Sequence, residues 1–312
     1  MKYLYLVALI AISMLLGVTP AAAVSKKTIP AKAAIVMDSS GAILFAKHPN
    51  AKLAPASTVK LITAMVAIDR LRLADTVKIS KNAGTVRSIQ PRLHANEEMT
   101  VSDLLHLALM KSINSAAVAL SEAAAGSERD FVVLMNRKAK ELGANNTLFA
   151  NASGLPKGTQ YTTANDLALI MKAALSYPLI REILGKKAYL IRTAQGRELF
   201  LESTNELLWQ EQNMIGGKTG YTGNARHCFV CAIDTENGPF FTAVLGARSR
   251  SSLWRSTLKL AEIGMNPGPA RVIERPLGML RVSHKPEEQG MPSHHEGLLR
   301  EFSTSFPIGL EQ

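Results

Sequence analysis

Strand-like segments lie at both ends of this 312-residue chain and helix-like segments fill its middle. That order restricts the fold more than any other feature. Residues 32–37 (Lys-Ala-Ala-Ile-Val-Met) and 42–47 (Ala-Ile-Leu-Phe-Ala-Lys) are short apolar runs separated by Asp38-Ser39-Ser40-Gly41, the pattern of a β-hairpin. Val59 to Leu71 is apolar nearly all round, which predicts a helix buried on most sides. From about residue 100 to 184 the pattern is helical throughout. Thr100 with Asp103 opens a helix to Met110, and Ser127 caps one that runs to Leu142 and stops at Gly143. Thr163 with Asp166 caps a third, and Pro178 starts a short fourth. After Lys187 the alternation turns strand-like over Ala188–Arg192, Cys228–Ile233 and Phe240–Leu245, with Asn237-Gly238 as a hairpin turn. Ser251 to Ile263 reads as a closing helix. The expected architecture is α+β: one antiparallel sheet built from both chain ends, flanked by helices, with an all-α lobe inserted.

The first 23 residues are set apart from that fold. Lys2, the apolar run Leu4 to Val18 and Ala21-Ala22-Ala23 have the three parts of a secretory signal peptide, so the mature chain is expected to start near Val24. The run is short for a spanning helix, which needs about 20 apolar residues, although retention as an anchor is the alternative. The formal net charge of +11 implies an anionic neighbour, and export favours cell-wall polymer over nucleic acid. Aromatics at 5% also argue against a base-stacking surface. Residues 24–265 form the expected catalytic domain. Residues 266–312 hold six of the 14 Pro and are expected to be a Pro/Gly-rich, loosely ordered tail without an amphipathic helix, which leaves at most peripheral membrane contact.

Three short motifs follow one another: Ser57-Thr58-Val59-Lys60, Ser112-Ile113-Asn114 and Lys218-Thr219-Gly220. Alone, each is a cheap pattern; their order and context carry the signal. The first lies at a helix start, the second between two helices and the third on a strand. A Ser hydroxyl needs a base within hydrogen-bond reach to become a nucleophile. In the first turn of a helix, residues three apart share a face, so Lys60 is expected beside Ser57. Burial in an apolar helix and a second cation at Lys218 should push the Lys60 ammonium towards neutrality. Free backbone N–H groups at Ser57 and at Tyr221 are candidates for an oxyanion hole. Ser112 is placed to pass a proton to the departing amine and Asn114 to orient Lys60 and a substrate amide. Lys218 and Thr219 offer a cation and a hydroxyl to a substrate carboxylate. Gly216, Gly217 and Gly220 lack Cβ, so a peptide can approach this strand and pair with its edge.

On these motifs the chain resembles the low-molecular-mass penicillin-binding proteins, the serine D-Ala-D-Ala carboxypeptidases of the bacterial cell wall. Pro55-Ala56-Ser57-Thr58-Val59-Lys60-Leu61, Asn151-Ala152-Ser153-Gly154-Leu155 and Gly217-Lys218-Thr219-Gly220-Tyr221-Thr222 are similar to that family, and the likeness covers roughly residues 30–265. It implies the penicillin-recognising serine transpeptidase-like fold. The implied reaction is acyl transfer on peptidoglycan stem peptides in the periplasm or cell envelope. Ser57, Lys60, Ser112 and Asn114 would be catalytic, and Lys218, Thr219, Gly220, Tyr221 and Thr222 would bind substrate. β-Lactams would act as covalent inhibitors, and no cofactor is implied. D,D-endopeptidase cleavage of crosslinks is the alternative reaction. Two positions depart from the family: Ser115 stands where Asp is frequent and Arg226 where many relatives have Gly. Arg248 and Arg250 both remain candidates for the substrate carboxylate.

Two rivals are weaker. A class A β-lactamase needs a Glu between the second and third motifs, and between Leu142 and Arg181 the only acid is Asp166. A non-catalytic β-lactam-binding module would not need all three motifs complete. Cys228 and Cys231, three apart on a strand, point to opposite faces and are expected to be free thiols. His284, His294, His295 and Glu296 lie in the tail, and no metal site is assigned to them.

Overall fold

The computed structural model describes residues 29–193 and 195–273. The expected signal peptide, residues 274–312 of the tail and its histidines lie outside the described residues.

Strands β1 (Ala33–Met37) and β2 (Ile43–Lys47) form the N-terminal hairpin, and a 3-10 turn (Ala56–Val59) runs into α1 (Lys60–Arg70). Next come β3 (Thr76–Lys78), α2 (Lys81–Thr85), β4 (Glu98–Thr100), α3 (Val101–Leu109), α4 (Asn114–Ala125), α5 (Glu128–Glu141), α6 (Ala164–Ala174) and α7 (Pro178–Gly185). A second hairpin, β5 (Ala188–Arg192) and β6 (Glu198–Glu202), and a 3-10 turn (Glu206–Trp209) lead to β7 (Met214–Thr222), β8 (Arg226–Ile233) and β9 (Phe240–Ala247). Helix α8 (Arg250–Met265) and β10 (Arg271–Ile273) complete the described chain. The caps work as the sequence implies: Thr100, Ser127 and Thr163 each accept a backbone N–H three residues on, and Pro178 opens α7.

The main sheet has the order β10-β2-β1-β9-β8-β7. Ile35 lies opposite Ala46 on one side and Ala243 on the other, so the two chain ends meet in β1 and β9. Both faces of the sheet are covered. Ala34, Val36, Phe229 and Cys231 pack with Leu253, Trp254 and Leu260 of α8, where the Phe229 and Trp254 rings meet edge-on at 5.0 Å. Ile35, Cys228, Val230 and Ala243 pack with the helical lobe, whose central helix α1 is buried from Lys60 to Ala67. Each fully buried residue of this size contributes about 2 kcal/mol of hydrophobic stabilisation, so the double-sided sheet fixes the fold. The two cysteines are buried, free and divided between the two faces.

The structure departs from the sequence reading in three places. Strand β10, inside the expected tail, pairs parallel to β2, so the sheet is mixed rather than wholly antiparallel. The stretch between α5 and α6 is not helical: it is held by bridges from Leu53 to Thr162 and from Leu148 to Tyr161. Two small two-stranded sheets form, β3–β4 across α2 and the β5–β6 hairpin, of which only the strand Ala188–Arg192 was expected. What matters for the site is that β7 is an edge strand whose free side faces the 3-10 turn at Ala56–Val59.

Candidate active site

Ser57 sits in the 3-10 turn and not, as the sequence suggested, in the first turn of the α-helix; Lys60 is the first residue of α1. Three residues per turn eclipse the two side chains. Ala56, just before Ser57, adopts φ 50°, a strained left-handed conformation for a residue with a Cβ. Lys60 is wholly buried, and its Nζ lies 3.1 Å from Ser57 Oγ, 2.7 Å from Asn114 Oδ1 and 2.6 Å from the Ser153 carbonyl. Asn114 Nδ2 donates to the Arg87 carbonyl at 2.8 Å, so the amide must turn its oxygen to Lys60. Its backbone N–H donates to Ser88 Oγ at 2.9 Å.

The second and third motifs meet next to this pair. Lys218, also wholly buried, places Nζ 3.0 Å from Ser112 Oγ and 3.0 Å from its neighbour's carbonyl at Thr219. Ser112 is held at φ 65° in the link between α3 and α4. The Thr219 hydroxyl pairs with Thr204 Oγ1 at 2.6 Å. Burial, and after it the charge of Lys218, holds Lys60 well below the ordinary lysine range. Burial alone pulls Lys218 down to about 7. Lys218 Nζ is thus turned towards Ser112, and its charge bears on Lys60.

Two glycines let backbones close around Ser57. A Cβ on Gly220 would stand 2.9 Å from Ser57 N, and one on Gly154 would stand 2.0 Å from the Ala56 carbonyl. The edge of β7 and the Ser153–Gly154 turn thus press on the nucleophile's turn from two sides. Tyr221 exposes its ring against His227 at 4.5 Å, and Thr222 is half-buried at the strand's end. Arg226 holds φ 61°, a left-handed conformation that glycine adopts without steric cost. Arg250 is paired with Glu206 at 2.6 Å, whereas Arg248 is exposed at the β9–α8 junction with no ion pair among the described residues, which makes it the freer candidate for a carboxylate.

The three contacts of Lys60 serve both of its protonation states. A neutral amine donates two N–H bonds to Asn114 Oδ1 and Ser153 O, both acceptors only, and its lone pair is left for the Ser57 hydroxyl. After the proton moves, the same nitrogen donates to the serine oxygen without rearrangement. The arrangement can therefore generate a serine alkoxide at modest cost. Sequence reasoning missed the Ser153 carbonyl, the Arg87–Ser88 support under Asn114 and the Thr204 partner of Thr219. The first and second work mainly through backbone atoms, which no residue type announces; the family-like stretch from Asn151 to Leu155 was the only signal. Among the described residues, no group of three His, Cys, Asp or Glu side chains could hold a metal.

Comparison with known proteins agrees with this geometry. Residues 20–249 match the S11 peptidase family, described as D-alanyl-D-alanine carboxypeptidase, and the chain belongs to that family. It is 35% identical over 223 residues to a D-alanyl-D-alanine carboxypeptidase of Bacillus subtilis (strain 168), covering 70% of this chain and 57% of the relative. A D-alanyl-D-alanine endopeptidase of Escherichia coli (strain K12) is 32% identical over 228 residues, covering 72% of this chain and 73% of that protein. The crystal structure of the Streptomyces K15 DD-transpeptidase superposes with a TM-score of 0.72 at 28% identity, covering 77% of this chain and 99% of that one. The chain thus spans little more than half the length of the Bacillus relative.

Proposed function

We propose that this protein is an exported serine-type D-alanyl-D-alanine carboxypeptidase that removes the terminal D-Ala from peptidoglycan stem peptides. The observation that carries the reading is the buried Lys60 amine, held between Ser57 Oγ and two groups that only accept hydrogen bonds. Lys60 takes the Ser57 proton as Oγ attacks the carbonyl of the penultimate D-Ala. The backbone N–H groups of Ser57 and Tyr221 hold the oxyanion. When the C–N bond breaks, Ser112 gives its proton to the leaving amine and is re-protonated from the Lys218 side, 3.0 Å away. The proton held by Lys60 then passes to the neutral Lys218, and the restored Lys60 amine takes a proton from the attacking water and returns it to Ser57 Oγ as the acyl–oxygen bond breaks. Tyr221 and Thr222 line the substrate strand alongside Gly220, and Thr219 stands at the carboxylate end of it. Residues 1–23 serve as the export signal and 24–265 as the catalytic domain, and the protein works in the periplasm or cell envelope; among the described residues no helix is long and apolar enough to cross a membrane.

Penicillins enter the same chemistry and acylate Ser57. Their adducts clear slowly, because Asp166, the only acid between Leu142 and Arg181, is buried with Oδ2 accepting from Asn146 N–H at 2.7 Å and Thr147 Oγ1 at 2.8 Å. Purified Ser57→Ala protein should lose D-Ala release by about a thousandfold or more and take no penicillin label. Wild-type rates in that variant would overturn the assignment. Giving the wild-type enzyme monomeric pentapeptides beside crosslinked dimers, with chromatography of the products, separates the carboxypeptidase from the endopeptidase reaction.

A further inference from the structure

The carbonyl of Ser153 that holds Lys60 belongs to a turn whose peptides are gripped by different side chains. Glu128 Oε1, at the start of α5, accepts from the Ala152 N–H at 3.1 Å. Thr63 Oγ1, three residues beyond Lys60 in α1, donates to the Ala152 carbonyl at 2.7 Å. The peptide between Ser153 and Gly154 gives its carbonyl to Lys60 Nζ at 2.6 Å and its N–H to Asn151 Oδ1, also at 2.6 Å. Asn151 is buried, and its Nδ2 donates to the Leu155 carbonyl at 2.8 Å, which fixes the way the amide faces. The same Oδ1 accepts from the Ser153 N–H and hydroxyl, each at 3.2 Å. Among the described residues, Asn151 is the only partner of the Gly154 N–H.

That one bond decides what Lys60 meets. A trans peptide carries its C=O and N–H on opposite edges of a plane, so fixing one aims the other. Gly154 lies at φ 82° and, without a Cβ, takes negative φ as readily, so its own conformation does not stop the peptide from turning over. Turned over, the peptide withdraws the carbonyl and points the Gly154 N–H at Lys60, whose lone pair then accepts that proton donor instead of the Ser57 hydroxyl. Without Asn151 Oδ1 the N–H is a buried donor lacking a partner, which favours this turn. The other groups around Lys60 do not supply a substitute acceptor: Ser57 Oγ comes from the 3-10 turn, Asn114 Oδ1 from α4 and the charge of Lys218 from β7, while the Glu128 carboxylate is turned to the Ala152 N–H.

We propose that Asn151 is a positioning residue for acyl transfer: its Oδ1 holds the Ser153–Gly154 peptide in the one orientation that gives Lys60 an acceptor and leaves the amine's lone pair for Ser57. The proposal rests on the acyl-transfer reading and adds a residue to the support of its base.

The test follows acylation by labelled penicillin across pH in the wild type, Asn151→Ala and Asn151→Ser, with active sites counted from the label bound at completion. An ammonium gains more from a carbonyl acceptor than a neutral amine does, so losing Ser153 O makes Lys60 release its proton more easily. In Asn151→Ala the acid limb of the second-order acylation rate constant should therefore move to lower pH, and the plateau per active site should fall by about tenfold or more as the lone pair loses its aim. Asn151→Ser keeps an oxygen that accepts from N–H groups two and three residues on, more weakly, so it should recover part of both changes. It also carries the comparison alone if Asn151→Ala does not fold. A limb and a per-site plateau that stay at the wild-type values, even where fewer sites take label, would make Asn151 a structural residue only and overturn the proposal. A limb that moves to higher pH, or a serine variant no better than the alanine one, would overturn it as well. A wild type that penicillin never acylates would instead overturn the reading beneath it.

Discussion

At the scale of single residues, the site depends on two buried lysines that the fold keeps from being ordinary cations. Neither Lys60 nor Lys218 has a carboxylate partner among the described residues; their acceptors are hydroxyls, an amide and backbone carbonyls. Removing the charge at 218 while keeping its volume, with Lys218→Met, takes away the second cause of the depressed Lys60 basicity and leaves the first, burial, in place. Lys60 then holds its proton to higher pH. The acid limb of penicillin acylation should move to higher pH in this variant, measured as the second-order acylation rate constant across pH. A limb that stays put would mean that burial alone sets the Lys60 amine. The motif residues themselves were legible in the sequence, because Ser57, Lys60, Ser112, Asn114 and Lys218 are chemically distinctive types at ordered positions. What was not legible was direction. Nothing in the triplet Lys-Thr-Gly tells whether the lysine faces a ligand or the protein interior, and the structure turns it towards Ser112.

At the scale of elements, long periodic segments were readable and short ones were not. Helix α5 (Glu128–Glu141) is long enough for its period to show, and strand β9 (Phe240–Ala247), buried along its whole length, shows as a continuous mostly apolar run after the Asn237-Gly238 turn. Strands β3 and β4 have three residues each, less than two alternations, and no pattern can announce them. They matter because the segment after β3 carries Arg87 and Ser88, which hold Asn114. That segment is fastened to the β5–β6 hairpin by a latch: Arg197 Nη1 reaches both oxygens of the buried Glu97 at 3.1 and 3.2 Å, and its Nη2 donates to the Arg92 carbonyl at 2.7 Å. An ion pair with one buried partner is costly to break from one side, because the Glu97 carboxylate then keeps only the His94 N–H, at 3.0 Å, and no opposite charge. Arg197→Met should destabilise the protein by about 2–3 kcal/mol, and adding Glu97→Gln should recover a good part of it. Urea unfolding of both single variants and the double variant measures the coupling; strictly additive losses would show that the latch contributes nothing as a pair.

At the scale of the whole molecule, the catalytic geometry is bought with stability, and pH exposes the exchange. The sheet joins β1 to β9, so Ser57, close behind the N-terminal hairpin, and Lys218, close before β8, reach each other only once the two chain ends have paired. That closure buries Lys218 and brings it down to about 7, while in the unfolded chain it returns to about 10.4. Between those values the unfolded chain binds a proton that the folded one has released, so this lysine makes folding stability rise with pH across that window. Below about 7 both states are protonated and the penalty is constant at its largest; above about 10.4 neither is, and it vanishes. The other titrating groups apart from Lys60 are shared with a Lys218→Met variant, including the basic surface behind the net charge of +11, so a comparison of the two proteins isolates the coupled pair of buried lysines. Relative to the wild type, Lys218→Met should gain most in urea midpoint near neutral pH and progressively lose that advantage towards pH of about 10. The same variant loses the Ser112 contact and with it acylation rate, which is the sense in which a destabilised site is kept for its chemistry. Midpoints that differ by the same amount at every pH would show that burial does not suppress the Lys218 charge, and the electrostatic account of Lys60 would lose its second source.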